Sequence, residues 1–334
     1  MDLIRNLISD VAGVSVGNAQ DLALGSGVTA LIFDEPAAAS IAVHGGAPGL
    51  RDTALLEPDM TVGAVDGLAL SGGSAFGLDA MGGVQAWLRE QGRGFQVRSA
   101  RVPIVPGAIL FDLLNGGDKN WGRMPPYWAL GYEAASRAAP DFALGTAGAG
   151  AGATTATFKG GLGSTSAATS GGYRVGALVA VNAVGSAVIG EGPQFWAGQV
   201  EHGSEFGGLG VPARLFHDQL VMRVKGDEPE NTTIAIVATD AALSKQQLKR
   251  IAVMAHDGLG RALRPTHAMQ DGDVVFAAAT GRRATPASLR DITEIGMVAA
   301  DCLARAIARG VYEARALPYP GAQPAWRDRF SETV

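Results

Sequence analysis

The chain has 334 residues, 47% of them hydrophobic and 18% charged, so it can bury one large core or two domains and is neither disordered nor fibrous. A net charge of −5 excludes an electrostatic footprint for nucleic acid or an anionic membrane. A lone cysteine excludes an intramolecular disulfide.

The start, Met1-Asp2-Leu3-Ile4-Arg5, lacks the basic opening and apolar core of a signal peptide, and a cytoplasmic location is expected. Short apolar runs at 28–33, 38–44 and 64–70, each closed by glycine or proline, read as strands. Behind the third run comes Ser71-Gly72-Gly73-Ser74-Ala75-Phe76-Gly77 and then a helical stretch to Leu88. Strand, glycine turn and helix suggest backbone amides suited to an oxyanion or carboxylate, so Ser71, Gly72, Gly73 and Ser74 form a candidate substrate or oxyanion loop. The spacing fits neither a nucleophile elbow nor a phosphate loop.

The Gly-Ala alternation over 145–154 is either a linker or a loop that needs close backbone approach. The apolar stretch 175–189 is interrupted by Gly176, Asn182 and Gly185, is too short to cross a bilayer, and reads as a buried strand pair. A buried amide such as that of Asn182 needs partners. The polar segment Lys225-Gly226-Asp227-Glu228-Pro229-Glu230 is the best candidate for an exposed, cleavable connection.

Asn231-Thr232-Thr233 then opens the apolar run 234–238. It reads as a turn entering a strand or as a self-cleavage site, because an N-terminal threonine would carry nucleophile and base on one residue. Ser244-Lys245-Gln246-Gln247 is a capping box for a helix whose inner face is Leu248, Ile251, Ala252, Ala255 and Leu259. Asp271-Gly272-Asp273, a turn by composition, leads to a strand over 273–279. A long helix is expected from about Pro286 to Ala314, burying Cys302 as a structural thiol. His256 and His267 read as surface or helix-end residues, and no His/Cys/Asp group has metal-ligand spacing, so no metal and no cofactor are expected.

Taken in order, these segments resemble the DmpA/P1 family (peptidase family S58) of self-processing aminopeptidases and nylon-oligomer hydrolases. The resemblance rests on Ala64-Val65-Asp66-Gly67 with the 70–78 loop, Val102-Pro103-Ile104-Val105-Pro106, Val181-Asn182-Ala183-Val184-Gly185, Asn231-Thr232-Thr233 and Arg264-Pro265-Thr266-His267 before Asp271-Gly272-Asp273. It spans nearly the whole chain. It implies an α+β fold, a four-layer αββα sandwich, formed as one unit (1–334) that cuts itself into a large chain, 1–231, and a small chain, 232–334. Those chains stay together, commonly as tetramers.

The resemblance makes Thr232 the nucleophile, with Asn182, Lys159, Asp271 and Asp273 around it, and a small peptide or amide as substrate. Threonine in place of serine and the paired aspartates lean towards ω-amino-acid oligomers. One departure is Phe111, where several members carry a tyrosine whose hydroxyl reaches the site. Two rivals follow from the residues: a non-catalytic binding or scaffold protein that kept the fold, and a hydrolase using Ser74.

Overall fold

The computed structural model describes residues 4–225 and 231–330. Eleven strands and five α-helices occur among them: β1 Val14–Asp21, β2 Ser26–Val43, β3 Gly49–Arg51, β4 Val65–Ser71, β5 Phe95–Val97, β6 Ala100–Val102, β7 Gly107–Ile109, β8 Leu162–Ala168, β9 Arg174–Asn182, β10 Thr232–Ala241 and β11 Val274–Arg283, with α1 Ala80–Glu90, α2 Tyr127–Ser136, α3 Lys245–Ala262, α4 Leu289–Tyr312 and α5 Trp326–Phe330. The main strands run β3-β7-β4-β2-β11-β10-β9-β8, with β1 also on β2; β5 and β6 pair apart.

The long strand β2 joins two layers. Its first half pairs with β1 and β4 and its second half with β11. Between the halves Asp34, Glu35 and Pro36 are exposed, and the register against β4 shifts there. The 28–33 and 38–44 runs, expected as separate strands, are thus one strand that changes sheets, because proline ends a ladder without ending an extended chain.

Strand β10 shows why the layers stack. Ile234, Ile236 and Ala238 meet Leu31, Leu68, Leu178 and Phe276 between the sheets, while Ala235 and Val237 pack with Leu248, Ile251 and Leu303 on α3 and α4. Side chains alternate across a strand, so an unbroken apolar run demands cover on both faces. On the outer face of the other sheet, Val28, Ala30 and Ala69 meet Met81, Val84 and Leu130 from α1 and α2. The result is the four-layer αββα sandwich that the sequence motifs imply.

The 175–189 stretch is one strand and not a pair. β9 ends at Asn182, and Ala183, Ala187 and Val188 continue as buried coil in the helix-side core. Ser186 there bridges to Arg264, and a β-carbon on Gly185 would lie 2.1 Å from the Pro265 carbonyl. The Gly-Ala segment 145–154 is a loop in close backbone contact: a β-carbon on Gly150 would lie 2.0 Å from the Leu162 nitrogen. Cys302 is fully buried on α4, and burial pushes its thiol up to about 11. No helix among the described residues is long and apolar enough to cross a membrane.

Candidate active site

Three strand ends converge on Thr232. The first residue of β10 lies opposite Asn182, the last residue of antiparallel β9. On its other side β11 runs parallel to β10, so the Asp271-Gly272-Asp273 turn that feeds β11 lies at the same end, and Asn231 bridges to Asp271. Thr232 and Asn231 are both buried. The polar stretch 226–230 before them, expected to be the cleavable connection, lies outside the described residues.

The Thr232 hydroxyl donates to the carbonyl of Asn231, and the same carbonyl accepts from the Gly272 N–H at 3.1 Å. A β-carbon on Gly272 would lie 2.8 Å from both Oγ1 and Cγ2 of Thr232. The threonine side chain therefore rests on the bare face of Gly272, between two aspartates in sequence. Buried polar atoms without hydrogen bonds gather here: both side-chain amide atoms of Asn231, the Thr233 hydroxyl and Oδ1 of Asp271. Such atoms are costly, and in folded proteins they concentrate where function demands them.

The two carboxylates differ. Asp273 accepts from the Thr233 N–H at 3.0 Å through Oδ1, and through Oδ2 from Thr266 Oγ1, His267 N–H and His267 Nδ1, each at 2.9 Å. Burial alone would raise its pKa, but the bonds from His267 hold it below the usual carboxylate range. Asp271 is pushed up to about 7, first by burial and then by the charge on Asp273. One carboxylate is a fixed anion, and its neighbour titrates near neutrality.

Asn182 is fully buried and fully engaged. Its Nδ2 donates to the Phe111 carbonyl at 2.9 Å, and its Oδ1 accepts from Thr154 N–H and Lys225 Nζ, both at 3.0 Å. Phe111, Thr154 and Lys225 also line a cleft of about 270 Å³, together with Asp112 and Gln323. The cleft thus abuts Asn182, across the ladder from Thr232. Lys159 is buried beside it and donates to the carbonyls of Gly150, Ala153 and Gly160 at 2.9, 2.7 and 2.8 Å. Desolvation lowers its ammonium to about 7. These bonds close the loop that carries Thr154 and so support the Asn182 contact.

The 71–74 loop is organised differently from the open amide cluster its glycines suggest. Gly72 N–H donates to Gly27 O at 2.9 Å, Gly73 N–H to Asp112 Oδ1 at 2.8 Å and Ser74 N–H to Leu110 O at 2.9 Å. Those amides are spent inside the fold, and the loop instead fixes Asp112, whose other oxygen accepts from Ser26 Oγ at 2.7 Å. Burial raises the pKa of Asp112.

Two groups that contact these residues were not singled out from sequence. The Gly272 amide was hidden because a backbone donor leaves no residue-type signal. His267 was set aside as a surface residue, yet it braces Asp273. His256, expected on a surface or helix end, is instead buried on α3, with Nε2 3.0 Å from the Ala42 carbonyl. Burial is the first cause that lowers it, to about 4. His44 joins these two rings, and the three offer ring nitrogens within 4.8 Å of one another, a grouping that linear spacing could not show.

The profile of peptidase family S58 matches residues 6–323. The chain belongs to peptidase family S58. This S58 chain is 42% identical to an uncharacterized aminopeptidase of Mycobacterium tuberculosis, over 97% of its own length and 98% of that relative's. A 6-aminohexanoate-oligomer endohydrolase of Agromyces sp. is 28% identical over 88% of this chain and 82% of that protein. In fold the S58 chain is similar to a Burkholderia sp. beta-aminopeptidase, with a TM-score of 0.69 at 22% identity, covering 98% of this chain and 94% of that one. Its family places it among hydrolases of peptide and amide bonds.

Proposed function

We propose that the chain is a precursor that cuts itself between Asn231 and Thr232. It then works as an N-terminal-threonine amide hydrolase, an aminopeptidase for short peptides and for amides of L-, D-, β- or ω-amino acids, 6-aminohexanoate oligomers included. The observation that carries this reading is the Thr232 hydroxyl lying against the Asn231 carbonyl, with Gly272 N–H donating to that carbonyl.

In the first step Thr232 Oγ1 bonds to the carbonyl carbon of Asn231, and the developing oxyanion keeps the Gly272 donor. The carbon–nitrogen bond breaks, and the amine of Thr232 takes up the proton. Water then hydrolyses the ester, releasing the Asn231 carboxylate and restoring the hydroxyl. The unpaired amide of Asn231 favours this release, since cleavage lets it leave a site where it has no partner.

The freed amine has an ordinary pKa of about 7.7–8.0, so a useful fraction is unprotonated near neutrality and serves as base. Asp273, anchored by His267, and Asp271 orient the amine and hydroxyl, as the third member of a triad orients its base. Asn182 positions the cleft wall and Lys159 braces its loop. Of Asp66, Asp112 and Asp118, the acids weighed for a substrate ammonium, Asp112 is the one that lines the cleft, its oxygens held in place by Gly73 N–H and Ser26 Oγ. Asp112 is the assigned ammonium partner.

The scaffold reading draws its support from the missing tyrosine hydroxyl at Phe111. It is the carbonyl of Phe111 that holds Asn182, a contact any residue there provides. Intact mass and N-terminal sequencing of fresh protein test the proposal. A small chain beginning Thr232-Thr233-Ile234-Ala235, with Thr232→Ala uncut and inactive and Thr232→Ser still cut, is the expected result. A single inactive 34.1 kDa wild-type chain would overturn it. A hydrolysis series over L-, D-, β- and ω-amino-acid amides then fixes the substrate class.

A further inference from the structure

Beside the carboxylates, His44 follows the end of β2, His256 sits within α3, and His267 lies in the loop before β11. We propose that these three histidines form a binding site for one divalent transition-metal ion of the zinc type. The assignment rests on the rings and their partners, and stands whether or not Thr232 is the nucleophile.

The hydrogen bonds fix which nitrogen of each inner ring can ligate. The Ala42 carbonyl can only accept, so Nε2 of His256 carries the proton and Nδ1 carries the lone pair. That Nδ1 is buried and has no hydrogen-bond partner. Oδ2 of Asp273 already accepts from Thr266 Oγ1 and the His267 N–H, so Nδ1 of His267 donates to the same oxygen and Nε2 is the nitrogen left to ligate. A histidine whose second nitrogen is anchored on a carboxylate or a backbone carbonyl is the usual arrangement behind a metal ligand, because the anchor sets tautomer and ring direction. Two of the three rings have it.

Spacing agrees for two of the three pairs. With zinc–nitrogen bonds of about 2.0–2.1 Å, a tetrahedral site separates ligand nitrogens by about 3.3 Å and imidazole centres by about 5 Å. The centres of His256 and His267 are 5.0 Å apart, and those of His44 and His267 are 5.3 Å apart. His44 and His256 are stacked at 3.8 Å, so loading requires His44 to swing off that stack; one nitrogen from each of the three rings already lies within 4.8 Å of the others. His256 is buried, whereas His44 is the exposed member. Its exposed side also leaves the fourth position to water.

A metal here would not touch Thr232. It would draw electron density from His267 and tighten its N–H bond to Asp273, coupling metal supply to the geometry of the carboxylate pair.

The test uses the untagged full chain, stripped with chelator and titrated with Co²⁺. The expected result is one equivalent bound with the intense blue absorption of a tetrahedral ion, discharged by one equivalent of Zn²⁺. His44→Gln is expected to weaken Co²⁺ binding at least about tenfold while leaving amide hydrolysis by the stripped protein unchanged. His44→Ala serves as a second variant, since an exposed side chain can be removed without loss of fold. Only the faint pink of octahedral Co²⁺, or equal affinity in wild type and both His44 variants, would overturn the site.

Discussion

Gly272 matters for the atoms it lacks. Its missing side chain is the space that Thr232 fills, and its amide is the donor to the Asn231 carbonyl. Gly272→Ala is therefore expected to displace the hydroxyl from the Asn231 carbonyl and slow the proposed self-cleavage by about 100-fold, with the fold retained. Time courses of chain cleavage alongside circular dichroism would check it. Asp271 makes a separate prediction about stability. Its folded pKa of about 7 stands above an unfolded value of about 3.9. The folded chain keeps a proton that the unfolded chain gives up between those values, so this contribution is complete below about pH 4 and is lost as pH rises towards 7. Urea unfolding at several pH values should show that decline in an unprocessed background such as Thr232→Ala, and adding Asp271→Asn should flatten it. The sequence indicated both aspartates through their motif, but not their opposite titration, which depends on which one His267 contacts.

Helix α3 and the β8–α4 contact show what local signals reach and what they miss. The Ser244 side chain accepts from Gln247 N–H, and Gln247 returns a bond to Ser244 N–H, as the capping box predicts. The expected inner face, Leu248 to Leu259, is buried throughout. Ser244→Ala should cost about 1 kcal/mol in urea unfolding. Gly163 of β8 gave no such warning. A β-carbon there would lie 1.8 Å from the Ala306 carbonyl of α4. Gly163→Ala should lift the helix from the sheet and cost roughly 1–3 kcal/mol, measured the same way. A cap is written in four consecutive residues, whereas this close approach joins positions far apart in the chain.

At the scale of the molecule, cleavage before Thr232 would sever the chain in the middle of a sheet. β10 lies between β9 of the proposed large chain and β11 of the small one, and β11 in turn pairs with β2. The two products should therefore migrate as one species on native gel filtration and part only under denaturation; separation in native buffer would contradict this topology. The sequence by itself determined the layered fold class, the strand opened by Thr232, the capped helix after it and the identity of the paired aspartates. Hydrophobic period, capping residues and the order of motifs are local, so they can be read along one dimension. The tertiary structure decided that 26–43 is one strand crossing two sheets, that the 71–74 amides turn inward onto Asp112, and that three histidines from distant segments meet beside Asp273. Each of these depends on which surfaces are brought together when the sheets stack, and no single stretch of sequence carries that information.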